Sequence, residues 1–125
     1  PIRSEALRGV SLELERLANH PGDIGSLEGD VGFLPTASYC GRLRGDFLNM
    51  TALLCGNRFG RILVVPGGVR FDLAPSHRSD LHGRLDAAGK DVKNAVELLW
   101  DTPSVMSRFE GIGAVRAAGP AHVPR

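Results

Sequence analysis

From Arg3 to Val31 the apolar residues Leu7, Val10, Leu14, Leu17, Ile24, Leu27 and Val31 recur in steps of three and four. That rhythm is the period of an α-helix and lays one apolar stripe along it. Glu13, Glu15, Arg16 and Asn19 flank the stripe. A helix of this length with a single apolar face must bury that face against other helices, so a bundle is the expected architecture. Pro21 and Gly22 interrupt the pattern. Proline removes one backbone donor and crowds the carbonyl of Leu17, so a kink is expected, with a split into two shorter helices as the alternative.

The same rhythm returns twice. Gly29 and Gly32 bracket a turn, and Pro35 with Thr36 opens a second helix over about 35–55. It carries Cys40, Leu43, Phe47, Met50 and Leu54, and Gly56 ends it. A third helix over about 76–101 carries Leu81, Leu85, Ala88, Val92, Ala95 and Leu99, and Asp101-Thr102-Pro103 stops it. Between them, residues 57–72 lack a helical period. There the β-prone run from Ile62 to Val65, closed by Pro66-Gly67-Gly68, reads as an extended segment entering a tight turn. Ser104 to Phe109 reads as a short helical turn and Ile112 to Val115 as a short strand. The fold class expected is mainly α: three long amphipathic helices forming part of a bundle, an irregular Pro-Gly-Gly crossing, and a short C-terminal β element.

A formal net charge of +1 over 125 residues lacks the strong basicity of a nucleic-acid binder, so no nucleic acid is expected as a partner. No apolar run is long enough to span a bilayer. The chain opens at Pro1 and closes on Val123-Pro124-Arg125, which reads as an internal piece of a larger subunit. Cys40 and Cys55 fall on the second helix, about 22 Å apart at ~1.5 Å per residue, beyond disulfide reach. Both read as small core hydrophobes, and reduced thiols suit a cytosolic-side location. His20, His77, His82 and His122 are scattered over several elements without metal-ligand spacing. Pro66-Gly67-Gly68, with Arg58, Arg61 and Arg70 around it, has the donors to hold a carboxylate or phosphate. It equally suits a loop corner with solvated charges.

The ordered motifs are more informative than any one of them. Arg-Ser-Glu from Arg3, Glu-Leu-Glu-Arg-Leu-Ala-Asn-His from Glu13 to His20, Asp-Val-Gly-Phe from Asp30, Gly-Asn-Arg-Phe from Gly56, and Pro-Gly-Gly-Val from Pro66 together resemble one family. It is the large-subunit family shared by respiratory complex I, where it forms the quinone site of the NADH-quinone oxidoreductase, and the membrane-bound energy-converting nickel-iron hydrogenases. The resemblance runs from Pro1 to about Ala118.

The resemblance implies a role for several residues. Asp30 matches the family aspartate at the inner end of the quinone cavity, which orients a histidine from an upstream hairpin. A carboxylate there holds the imidazole in one tautomer and stabilises its charged form, as proton delivery to a reduced quinone requires. Arg58 and Pro66, Gly67, Gly68 match the loop facing the terminal iron-sulfur cluster. Arg3, Arg8, Glu13, Arg16, Asn19 and His20 match a helix with structural or subunit-contact roles. Departures also occur: Gly60 and Val65 stand where complex I members carry a histidine and an arginine, and Leu43 and Gly45 replace acidic residues. They tilt the reading toward the hydrogenase-like branch, or a divergent relative, over an orthodox complex I subunit.

No catalytic or metal-binding residue is expected within the chain itself. In the hydrogenases nickel is held by two Cys-x-x-Cys pairs, one before and one after this region, and neither is present. The expected function is thus a fragment of an oxidoreductase large subunit, inactive alone and binding no cofactor itself. Its parent complex implies iron-sulfur clusters in a partner small subunit, a quinone or nickel-iron centre, and membrane subunits, in a peripheral arm on the cytoplasmic side. Uncovered apolar stripes predict self-association of the isolated chain. The competing reading is a non-catalytic helical interaction or scaffold module.

Overall fold

The computed structural model describes residues 2–114. Its elements are α1 (Ile2–Asp30), α2 (Leu34–Cys55), β1 (Val64–Val65), β2 (Gly68–Val69), α3 (Pro75–Trp100) and α4 (Pro103–Phe109). The fold is mainly α. Helix α1 runs through Pro21 without a break, so the alternative of two shorter helices does not hold. Each later helix carries a proline in its first turn, where a missing N–H leaves no intrahelical bond unmade. Gly56 closes α2 at φ 73° and donates its N–H to the Ala52 carbonyl at 2.7 Å.

A three-residue turn makes α1 and α2 antiparallel neighbours. A methyl group built on Gly25 would stand 3.0 Å from the Cys40 Cβ and 3.3 Å from the Ala37 carbonyl oxygen. One built on Gly22 would stand 2.8 Å from the Arg44 Cδ. Pairing of 22 with 44 and 25 with 40 shows the two helices running past each other at close range. Helix α3 then lies along α2 in the opposite sense, with Asp91 reaching Arg42 at 2.8 Å. The core holds Leu14, Ala18, Phe47, Leu48, Met50, Leu54, Leu63, Leu81 and Ala88. A second cluster joins Cys40, Leu43 and Ala95.

The stripe on α1 differs from the one its large apolar residues suggest. Leu7 and Leu14 are buried, but the buried row continues through Ala18, Pro21 and Glu28. Leu17 and Leu27 are exposed, and Val31 is half-buried. Small residues at 18, 22 and 25 let α2 approach, and that approach rotates the larger neighbours outward. The expected row on α2 does face inward, since Cys40, Leu43, Phe47, Met50 and Leu54 are all buried.

The run from Ile62 into Pro66-Gly67-Gly68 is a minimal antiparallel hairpin, with Val64 opposite Val69 and Val65 opposite Gly68. Gly67, at φ 86° after Pro66, has the conformation of a type II turn, which glycine adopts without strain. Among the described residues the small β element therefore sits here. Residues 112–114 are turn and coil, because Gly111 and Gly113 take φ of 77° and 74°, incompatible with an extended strand. Val115, the last residue of the expected strand, lies outside the described residues. No described helix is long and apolar enough to cross a membrane.

Candidate functional site

Asp30 is the last residue of α1, and its side chain is exposed. The turn that follows is tied down three ways. The Phe33 N–H donates to the Glu28 carbonyl at 2.8 Å, the Gly32 N–H donates to the Gly29 carbonyl at 3.0 Å, and Arg108 of α4 donates to the Val31 carbonyl. Gly32 takes φ 77°, so the chain reverses there at no steric cost. Arg108 has no sequence motif of its own. Its contact with the turn spans most of the chain and becomes visible only once α4 folds back.

Just behind Asp30, Glu28 points inward. Burial raises its carboxyl pKa, and the Cys40 thiol lowers it part of the way back. The Cys40 thiol is in turn pushed up to about 11 by burial and by its proximity to Glu28. The sequence carries a faint signal for this residue: 14, 18, 21, 25 and 28 continue the helical period that the leucines leave.

The second part of the expected site lies at the other end of α2. Asn57 caps the loop with its own side chain, its Oδ1 accepting the Phe59 N–H at 2.9 Å and the Arg61 N–H at 3.4 Å. The Arg58 guanidinium stacks over the Phe59 ring, 4.8 Å from its centroid. Ile62 is held at φ 60°, a left-handed conformation that is an outlier for a β-branched residue. Arg58, Phe59 and Gly60 line a cavity of about 170 Å³ with Ser11, Glu15 and Thr51. Pro66 and Gly67 lie on the hairpin, and Gly68 is half-buried against Ser4 of α1.

Asp30 and Arg58 are not brought together. They flank a 22-residue helix, about 32 Å long at ~1.5 Å per residue. Of the α1 residues named from the sequence, Arg3 clamps the loop before α3, donating to Asp72 at 2.7 Å and to the Leu73 carbonyl at 3.1 Å. That partner lowers the Asp72 carboxyl pKa. Glu13 and Arg16 pair at 3.1 Å on the exposed face, and Arg8, Asn19 and His20 are exposed.

The donor set does not suit nickel or an iron-sulfur cluster. Cys40 is buried and Cys55 half-buried on the same unbroken helix. Among the described residues no three His, Cys, Asp or Glu side chains gather as metal ligands do. A groove of about 330 Å³ lies between α1 and α3, lined by Leu7, Val10, Leu73, Leu81 and Leu85 and rimmed by Arg3, Arg78 and His82. Asp30 does not line it.

Residues 30–122 match the family model described as the respiratory-chain NADH dehydrogenase 49 Kd subunit. Among similar proteins, Hydrogenase-4 component G of Escherichia coli is 34% identical over 90% of this chain and 20% of its own length. The carbon monoxide-induced hydrogenase of Rhodospirillum rubrum is 29% identical over 94% of this chain and 33% of its own. An NADH-quinone oxidoreductase subunit of Thermosipho melanesiensis is 33% identical over 90% of this chain and 30% of its own. The chain thus spans between a fifth and a third of the length of these relatives. Three observations converge: a helical core built on these motifs, a family match covering about three-quarters of the chain, and hydrogenase and quinone-oxidoreductase relatives side by side. The chain belongs to the family of the respiratory-chain NADH dehydrogenase 49 Kd subunit, whose relatives include hydrogenase components.

Proposed function

We propose that this chain forms part of the helical core of an oxidoreductase large subunit, one that passes electrons between an iron-sulfur relay in a partner subunit and either quinone or a nickel-iron centre. The observation that carries the reading is the match of residues 30–122 to the family model, which begins at Asp30 and includes the 57–69 loop. In this reading Asp30 stands next to the acceptor site. The turn behind it is tied by Arg108 through the Val31 carbonyl, which holds the backbone at this end of α1, and the exposed carboxylate is open to a proton donor supplied by another part of the subunit. The loop carrying Arg58 and the Pro66-Gly67-Gly68 hairpin faces the partner's cluster. The parent assembly is a membrane complex, with this chain in its peripheral arm on the cytoplasmic side.

Gly60 and Val65, in place of the complex I histidine and arginine, support the hydrogenase-like branch, while similarity to hydrogenase components and to quinone-oxidoreductase subunits is of the same order. The chain's two thiols cannot share one ion, so the isolated 125-residue chain is expected to show neither hydrogen uptake nor quinone reduction. The decisive experiment is Asp30→Asn in the assembled parent complex, assayed with quinone and with hydrogen. Loss of turnover with the complex intact is expected; unchanged turnover with both would refute the assignment of Asp30.

A second reading is favoured by one observation, the separation of Asp30 from Arg58 along the whole of α2. A non-catalytic helical interaction module needs no shared cleft, and exposed Leu12, Leu27, Leu98 and Trp100 suit docking of partner helices. If Asp30→Asn and Arg58→Ala both left turnover unchanged while substitutions at these exposed residues released a partner subunit, this reading would replace the first.

A further inference from the structure

Glu28 is the one fully buried carboxylate among the described residues, and neither of its oxygens meets a well-formed hydrogen-bond donor. It lies in the buried row of α1 where that helix crosses α2. From α2 the Cys40 thiol, a weak donor and 2% exposed, faces it. One helical turn earlier on the same face is Thr36, whose hydroxyl is also buried without a partner.

Among the described residues no cation pairs with Glu28. Arg42 of α2 is held by Asp46 and by Asp91 of α3. The Arg44 side chain lies over Gly22, and Arg108 of α4 donates to the Val31 carbonyl. Asp30, two residues on, is exposed. Because this chain alone covers the carboxyl, a charged group from another subunit cannot reach it without parting the helices. An isolated carboxylate in such a place is strongly disfavoured, and the group is neutralised by taking up a proton.

We infer that Glu28 is a buried proton-binding site, its carboxyl carried un-ionised at neutral pH and releasing its proton only when the crossing of α1 on α2 opens to water. The protonated acid offers one O–H donor, and a threonine hydroxyl both donates and accepts, so the polar atoms gathered at this crossing suit the neutral form. The direction of the Glu28 shift, upward through burial, agrees. Any partner or ligand that pries the crossing apart would then release a proton. Glu28 takes up its proton whether or not Asp30 has the role proposed for it.

The sign of the pH effect follows from the raised carboxyl. Below the ordinary carboxyl range both folded and unfolded chains hold the proton. As pH rises the unfolded chain ionises first, and stability falls until the folded carboxyl ionises too, by at most about tenfold in the folding equilibrium per pH unit. Infrared spectroscopy of the full 125-residue chain at neutral pH tests the site directly. An un-ionised carboxylic acid band is expected in the wild type and absent in Glu28→Gln. Denaturation from about pH 4 to about pH 8 should show a stability loss in the wild type that Glu28→Gln lacks. Absence of the acid band from the folded wild type at neutral pH overturns the inference even if the variant fails to fold; so does a wild-type pH slope that Glu28→Gln leaves unchanged.

Discussion

Substituting Gly25 by alanine measures how closely α1 and α2 approach. In an exposed helix interior, Gly→Ala stabilises by ~1 kcal/mol, because glycine loses more conformational freedom on folding. Gly9 meets that condition, with nothing within 4 Å of an added methyl, and Gly9→Ala is expected to gain about 0.5–1 kcal/mol. At Gly25 the same methyl would stand 3.0 Å from the Cys40 Cβ and 3.3 Å from the Ala37 carbonyl oxygen. Neither neighbour is the free end of a flexible chain, so α2 must shift by a few tenths of an ångström. Overpacking of this kind costs about 1–3 kcal/mol. After the propensity gain, Gly25→Ala should be destabilising by ~0–2 kcal/mol, and less stable than Gly9→Ala by ~1–3 kcal/mol. Gly22→Ala should fall between them, since its close contact is with the mobile Arg44 side chain. Denaturant midpoints of the three variants, at unchanged slope, give the comparison. If Gly25→Ala gained as much as Gly9→Ala, the two helices would not be in contact there, and small residues could not be what sets the buried face of α1.

Four further outcomes are expected. Leu14→Ala, at a side chain 2% exposed, should cost about 2–5 kcal/mol, read as a drop in denaturant midpoint; a change below ~1 kcal/mol would place Leu14 outside the core. Thiol labelling at mildly alkaline pH should modify half-buried Cys55 first, with Cys40 reacting only on unfolding because it is buried and its pKa is raised to about 11; equal rates would contradict that. Ile62→Asn should stabilise by up to ~1 kcal/mol, since asparagine tolerates the left-handed backbone at φ 60°; a thermal melt with a lower midpoint would count against it. Sedimentation of the isolated chain should show concentration-dependent association through exposed Leu27, Leu34, Leu98 and Trp100, and a monomer at all concentrations would refute this.

The regular part of the fold is legible because helix period, proline and glycine are local signals. Cys40, Leu43, Phe47, Met50 and Leu54 face inward as their spacing requires, and Gly56 ends α2 in the left-handed conformation glycine favours. The Pro66-Gly67 turn is local in the same way. By contrast, β-prone Ile112 suggests the start of a strand, whereas residues 112–114 are turn and coil, with the glycines at 111 and 113 both at positive φ. On α1 the large apolar residues point to a stripe through Leu17 and Leu27, whereas packing favours the smaller residues.

The site divides along the same line. Asp30 and Arg58 could be named from ordered motifs, which travel with the sequence of a family whatever the geometry around them. That they stand at opposite ends of α2, that Arg108 ties the turn behind Asp30, and that Glu28 faces inward toward Cys40 are tertiary facts. Sequence alone determined that this chain makes three striped helices with a Pro-Gly corner, because those preferences are satisfied within a few residues. Only the tertiary structure decided which face of α1 is buried, since that depends on how near another helix can come, and close approach is set jointly by residues far apart in the chain.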